Sequence, residues 1–211
     1  MSELPPPRRR RGRGARERIL QAATELFTSQ GINATGMEQL TTVARVSKRT
    51  LYMHFAGKDD LVHAYLQQLE EGLLPAEASP GQDPLHAREQ LLAIFEWAPA
   101  DSSAPLRGCP FLNASVEVPD PDHPVHRLAA AYKSEFARRL TGLARRAGAR
   151  DPEALGEQLA LLYDGAVARS TALNTADTGA YARSIAALLI DAATANPGAG
   201  TATYELVRDS G

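Results

Sequence analysis

The chain has 211 residues, enough for one or two domains around a sizeable buried core. Hydrophobic residues make up 44% and charged residues 23%, ordinary globular usage that excludes wholesale disorder, and no apolar run approaches the ~18 residues of a membrane-crossing helix. The net charge of −2 hides an asymmetry: residues 1–58 hold eleven Lys/Arg against four Asp/Glu, whereas residues 59–211 hold twelve against twenty-one.

A basic first quarter on an acidic body points to a polyanionic partner for the first segment alone. The single cysteine, Cys109, excludes an internal disulfide framework and a four-cysteine zinc site. No continuous apolar stretch follows the basic N-terminus, so no secretory signal is read and a soluble, cytoplasmic protein is expected.

Residues 1–14 (MSELPPPRRRRGRG) combine Pro, Arg and Gly with almost no apolar content and read as a disordered basic arm. Such an arm is either a solvated tail or a contact to nucleic-acid phosphates or a minor groove. From Arg16 to Gln30, Ile19, Leu20, Ala23, Leu26 and Phe27 follow the i, i+3/i+4 spacing of an amphipathic helix, which Gly31 closes. Thr35-Gly36-Met37-Glu38 reads as a capping box opening a short second helix, with Met37, Leu40 and either Val43 or Ala44 inward. Ser47 is placed to cap a third helix running from Lys48 to Phe55, and Gly57 breaks it. A fourth helix, Lys58 to about Leu74, carries Leu61, Tyr65 and Leu69 along one side, and Pro75, Pro80, Gly81 and Pro84 mark a linker.

Further helices are predicted at about 84–97, 107–117, 124–147, 151–174 and 178–195. Asp151 as N-cap with Pro152 at the first helical position marks the fourth of these, and Asn196-Pro197-Gly198 ends the last. No segment alternates in the manner of a strand and no internal repeat is found, so the expected fold is all-α. The expected division is a disordered arm (1–14), a unit of three helices (15–58), a connecting helix (59–74), a larger helical domain (75–197) and a flexible tail (198–211).

The third helix carries the sharpest signal. At about 100° per residue, Leu51 and Phe55 share one face while Arg49 and Met53 lie opposite, flanked by Tyr52 and Thr50. A core helix would not present Arg and Tyr there, and a merely solvated one has no need of exposed Met and Tyr. Base edges accept the arginine fork at guanine, apolar contact at the thymine methyl and hydroxyls at either. Two short helices joined by a tight turn, the second bearing such a face, form a helix-turn-helix. Ser47, Lys48 and the free N–H groups beside them suit a phosphate or a base edge.

Arg-x-x-Ile-Leu-x-Ala-Ala-x-x-Leu-Phe (16–27), Gly31, Thr35 and Val46-Ser47-Lys48-Arg49-Thr50-Leu51-Tyr52-x-His54-Phe55-x-x-Lys58-x-x-Leu61 together resemble the TetR family of transcriptional regulators. The resemblance covers about a quarter of the chain, residues 16–69. It implies a first phosphate contact at Thr35 and the start of the second helix, DNA reading by Ser47, Lys48, Arg49, Thr50, Met53 and His54, and a backbone grip by Tyr52 and Lys58. Two positions depart from the family pattern. Gly36 stands where the family often has Ser or Thr, which removes a hydroxyl. Arg45 stands at a turn position where the family usually has Gly, which places a bulky residue in a left-handed or strained conformation and adds a candidate phosphate contact.

The resemblance also implies that 15–58 is a three-helix helix-turn-helix DNA-binding domain with its reading motif at 36–55, and that 75–197 is a larger helical ligand-binding and dimerisation domain with a ligand pocket among its helices. Its candidate lining is Leu92, Phe95, Trp97, Phe111, Leu112, Asn113, Tyr132, Phe136, Leu162 and Tyr163, with Glu117 and Asn113 among few polar handles. Such a lining suits a moderately hydrophobic small-molecule effector. The implied partners are a palindromic double-stranded operator and a second copy of the chain, joined through 151–174 and 178–195. Those helices carry Leu155, Leu159, Leu162, Ala166, Leu173, Ile185, Leu188, Leu189 and Ala192 with interspersed small residues.

Other readings are weaker. His123-x-x-His126 near Asp120 and Asp122 has a metal-like spacing, but Pro124 interrupts the pair, and no metal site is assigned. Cys109 reads as buried and inert, or as a redox sensor if exposed beside Arg107. No strand precedes Gly12-Arg13-Gly14, so it is no phosphate loop. No nucleophile elbow, HExxH pair or Walker lysine appears, so neither an enzyme nor a cofactor is read. A helical metal-binding protein or enzyme, and an effector-free DNA-binding protein, stand as alternatives to an effector-released repressor.

Overall fold

The computed structural model describes residues 11–75, 77, 81, 83–96 and 107–195. Among the described residues the elements are all helical: α1 (Arg11–Gln30), α2 (Met37–Ala44), α3 (Lys48–His54), α4 (Lys58–Leu73), α5 (Pro84–Ala93), α6 (Pro110–Glu117), α7 (Pro124–Arg146), α8 (Pro152–Leu173) and α9 (Thr178–Thr194). Among the described residues two compact units result, one within Met1–Leu73 and Ser102–Lys133, the other within Leu74–Asp101 and Ser134–Gly211. The sequence reading placed 75–197 in one larger helical domain. The structure instead groups α6 and the first turns of α7 with the N-terminal unit.

In the first unit, Ile19, Leu20, Ala23, Leu26 and Phe27 of α1 are buried with Leu40 and Ala44 of α2, Leu51 of α3, Phe55, and Leu61, Tyr65 and Leu66 of α4. Each large side chain so buried contributes roughly 1.5–3 kcal/mol, before chain entropy is set against it. Phe27 meets Tyr65 edge to face at 5.3 Å, and burial pushes the Tyr65 hydroxyl pKa up. Of the two candidates for the inner face of α2, Ala44 is buried and Val43 is exposed.

Three local expectations are corrected. Arg11–Gly14 are helical and extend α1, where a disordered arm to residue 14 was expected; residues 1–10 lie outside the described residues. The capping box does not form, because Gly36 is the N-cap of α2 and the Thr35 hydroxyl donates instead to the Gly31 carbonyl at 2.7 Å. Helix α6 begins at Pro110 instead of 107: Gly108 turns the chain at φ +70°, and the Asn113 side-chain amide donates to the Arg107 carbonyl.

Glu117, the last residue of α6, binds the turn that follows α1. Its carboxylate accepts the N–H groups of Ile32 (3.1 Å) and Asn33 (2.6 Å), and its carbonyl accepts the Asn33 side-chain amide. The turn opens at Gly31, whose φ of +98° few other residues adopt. A charged acceptor on two backbone donors is worth more than a neutral one. Glu117→Ala is therefore expected to lower the stability of this unit by about 1.5–3 kcal/mol, read as the shift in a urea unfolding midpoint. An unchanged midpoint would show the turn to be held by α1 and α2 alone.

In the second unit, Leu91, Leu92 and Phe95 pack with Phe136, Leu140 and Leu143 of α7, Leu155 and Leu159 of α8, and Ala182, Ala186 and Ile190 of α9. Helix α5 ends at Ala93, four residues before the expected end. Tight turns, Phe95 N–H to Leu92 O and Glu96 N–H to Ala93 O, follow it and still bury Phe95. Asp151 accepts the Ala154 N–H at 3.0 Å and Pro152 opens α8 as expected, while Asn174 closes it in a left-handed conformation at φ 49°. Gly156 is required by close approach: a Cβ there would lie 2.8 Å from the Thr141 backbone nitrogen of α7. Arg88–Asp191 and Arg183–Glu96 ion pairs link the α5 segment to α9. Arg138 and Arg139 both bind Glu135 and hold its carboxyl down at about 2.

Candidate nucleic-acid interface

Helix α3 is anchored from beneath and open above. Leu51 is fully buried and Phe55 nearly so, with the Arg16 guanidinium 5.3 Å from the Phe55 ring. Ser47 caps the helix by accepting the Thr50 N–H at 3.0 Å, and its hydroxyl also pairs with that of Thr50. The opposite side presents Arg49, Tyr52 (46% exposed) and Met53 (74% exposed), with Thr50 and His54 half-buried at its margins. The wheel drawn from the sequence is the wheel observed.

The turn before α3 depends on Arg45, which adopts φ 52° and ψ 50°. Its N–H donates to Thr42 O and that of Val46 to Thr41 O, the paired bonds that close a helix through a left-handed residue. Arg18 of α1 donates its Nε–H to the Ala44 carbonyl at 3.1 Å and satisfies a further group at this end. The Arg45 side chain is exposed. Left-handed conformation costs a residue with a Cβ roughly 1–2 kcal/mol, offset in part by the chain entropy that glycine loses on folding. Arg45→Gly is thus expected to stabilise the unit by up to about 1 kcal/mol while flattening the salt dependence of DNA binding by one phosphate. Thermal melts and binding isotherms at several salt concentrations read the two effects separately. Lower stability would show that the arginine side chain makes a contact worth more than the strain.

The remaining site residues are placed as follows. Thr35 is buried and its hydroxyl is committed to Gly31, so the side chain is withdrawn from any phosphate. Gly36 has an ordinary φ of −88°, and a Cβ there would meet nothing within 4 Å, so no steric demand selects glycine. Lys48 lies 3.5 Å from the Glu38 carboxylate of α2. Lys58, at the start of α4, reaches the Asn33 carbonyl at 3.5 Å. The sequence reading used Arg18, Glu38 and Glu117 in none of these contacts. The partners of Arg18 and Glu117 lie 26 and 84–85 residues away, beyond any local pattern.

The candidate ligand residues fall in both units. In the first, Phe111 is buried and stacks on Tyr132 at 3.6 Å, Leu112 and Asn113 are half-buried, and the Glu117 carboxylate is taken up by the turn. In the second, Leu92, Phe95 and Phe136 are core, and Tyr163 touches both rings while Leu162 packs beside them. Trp97 lies outside the described residues. Cys109 is buried. His123 faces Asp59 through Nε2 and accepts the Val125 N–H at Nδ1, whereas Nδ1 of His126 faces the Val118 carbonyl. The two imidazoles address different partners, and among the described residues no cluster of three or more His, Cys, Asp or Glu is placed to hold a metal.

A capped reading helix with a buried apolar underside and an exposed Arg/Tyr/Met face defines a helix-turn-helix protein of the DNA-binding class. Residues 19–65 match the family model for bacterial regulatory proteins, tetR family. A solved TetR-type transcriptional regulator from Streptomyces avermitilis is 35% identical, with a TM-score of 0.72 over 86% of this chain and 99% of that one. A TetR-family regulator from Streptomyces coelicolor is 32% identical, with a TM-score of 0.73 over 87% and 97%. The curated transcriptional regulator TcmR of Streptomyces glaucescens is 35% identical over 82 residues, 38% of this chain and 36% of that protein, so the match spans about a third of that relative's length. The chain belongs to the TetR family of DNA-binding transcriptional regulators. Among the described residues no helix is long and apolar enough to cross a membrane.

Proposed function

We propose that this protein is a homodimeric transcriptional repressor that binds a palindromic operator through α3 and is released by a small-molecule effector. The observation that carries the reading is the face of α3, where Arg49, Tyr52 and Met53 stand exposed over a buried Leu51 and Phe55. On DNA, Arg49 would fork to a guanine edge, Met53 would meet a thymine methyl, and Tyr52, Arg45, Lys48 and Lys58 would hold phosphates.

The dimer is supported by the outer side of α8 and α9. Leu161, Leu173, Tyr181, Ile185 and Leu188 are all exposed there, and Gly165 and Ala168 between them permit close approach. One reading helix covers too few base pairs for tight specific binding, and a two-fold partner supplies the second half-site. Effector binding need supply only roughly 1–3 kcal/mol of coupling to weaken operator binding about 5–150-fold. Selection of duplexes from a random pool by the purified protein tests this reading. The expected enrichment is a palindrome bound by two chains and protected over both half-sites. Recovery of no common sequence would refute it.

A further inference from the structure

The α2–α3 surface is basic by composition, yet one carboxylate stands in it. Between residues 26 and 58, Glu38 is the sole acidic residue among Arg45, Lys48, Arg49 and Lys58. Its position is fixed. Its carbonyl accepts the hydroxyls of Thr41 (2.7 Å) and Thr42 (3.0 Å), so the backbone of the first turn of α2 is held. Its side chain is free to swing, 87% exposed, and meets Lys48 Nζ at 3.5 Å. Lys48 is the first residue of the reading helix and is itself 62% exposed.

An exposed pair of this kind contributes little to stability, because water and salt screen it and two long side chains lose freedom to form it. Its consequence lies with a polyanion. A DNA phosphate must take Lys48 from Glu38 and must also approach the carboxylate, so every backbone contact at this point is taxed whatever the base sequence. Base-edge contacts by Arg49 and Met53 are not taxed in this way, since neither depends on Lys48.

We infer that Glu38 is an affinity-tempering residue, whose ion pair with Lys48 opposes the phosphate contact made by the start of α3 and so lowers DNA binding on every sequence alike. The inference rests on the DNA-binding reading of α3 given above. Its test is Glu38→Gln, which keeps the shape and removes the charge. The full-length variant is titrated with a random-sequence duplex and with a duplex selected from a pool by the wild-type protein, over a series of salt concentrations. For random DNA the affinity should rise about two- to fivefold, and the salt dependence should steepen by close to one phosphate. The selected duplex should gain by a similar factor, so the ratio of selected to random affinity should stay within about twofold. In a Lys48→Gln background, Glu38→Gln should change the salt slope no further. Circular dichroism of each variant confirms that α2 and α3 are intact.

Three outcomes overturn the inference. One is an unchanged slope and affinity on random DNA, and another is the same gain in the Lys48→Gln background. The third is a loss confined to the selected duplex, which would make Glu38 a reader of a cytosine amino group instead. Lys48→Gln, taken with Arg49→Ala, separates this failure from that of the underlying reading. If it leaves random-DNA binding and its salt slope untouched, Lys48 is at no phosphate and the inference fails, whereas the reading of α3 fails only if Arg49→Ala also leaves binding to the selected duplex unchanged.

Discussion

Leu188→Glu is expected to convert the protein to a folded monomer that no longer binds its operator. Leu188 is 72% exposed on α9, in a stripe with Tyr181 and Ile185 that follows the i, i+4, i+7 spacing of a helix face awaiting a partner. On the inner side of the same helix, Ala182, Ala186 and Ile190 are buried in the core of their own unit. In the proposed dimer two-fold symmetry would place the substitution in the seam twice, and each lost apolar side chain would remove roughly 1.5–3 kcal/mol even before the glutamates are desolvated. The dimer dissociation constant should rise by about two to four orders of magnitude. Sedimentation should show a monomer and circular dichroism nearly unchanged helicity. Operator binding should collapse, because two reading helices about 34 Å apart no longer come as a unit. Leu189→Glu is the contrasting variant: Leu189 is partly buried against the core, so that change should unfold the unit instead. A Leu188→Glu protein that stays dimeric would place the seam elsewhere.

Arg49→Ala should weaken binding to the selected operator about 5- to 150-fold per half-site while leaving random DNA nearly unaffected. A bidentate arginine contact to guanine is worth roughly 1–3 kcal/mol of discrimination, and its loss relaxes the preference at one position in each half-site. The side chain is exposed, so the change should not disturb the fold. Lys58→Ala should do the opposite, weakening all sequences alike and flattening the salt dependence by about one phosphate. Its long contact to the Asn33 carbonyl is too weak for its loss to unfold the turn. Equal losses for both variants on both duplexes would refute the separation of base reading from backbone grip.

The two predictions draw on different kinds of legibility. The reading helix was open to inspection in the sequence, because its seven residues make a short amphipathic element whose faces follow from helical period alone. Leu51 and Phe55 had to point one way and Arg49 and Met53 the other. Ser47 and Asp151 were readable as caps for the same reason, since a cap bonds within three residues of itself. Arg45 was readable as left-handed or strained only through the family pattern, which usually has Gly at that turn position. Thr35 shows where local reading fails. The capping box and the observed bond to Gly31 are both local, and the choice between them was made by the burial of the hydroxyl in the turn.

On α8, Leu155, Leu159, Leu162, Ala166 and Leu173 were all offered as a seam between subunits. The structure gives Leu155, Leu159 and Ala166, with Leu162 packed beside them, to the chain's own core, while Leu173 stays exposed. The exposed side is carried by Leu161 and Leu173, with Gly165 between them. A helix that is apolar on more than one side has no sequence signal saying which side meets its own unit. Volume and the approach of neighbouring helices decide that, as the contact at Gly156 does between α8 and α7. By itself the sequence determined the helical class, the outward residues of α3 and the basic character of the first segment, because each follows from spacing or charge within a few residues. The tertiary structure alone decided which leucines remain available to a second chain, that Glu117 holds the turn after α1, and that α6 groups with the N-terminal unit. Those outcomes depend on packing between segments tens of residues apart, and no periodicity encodes it.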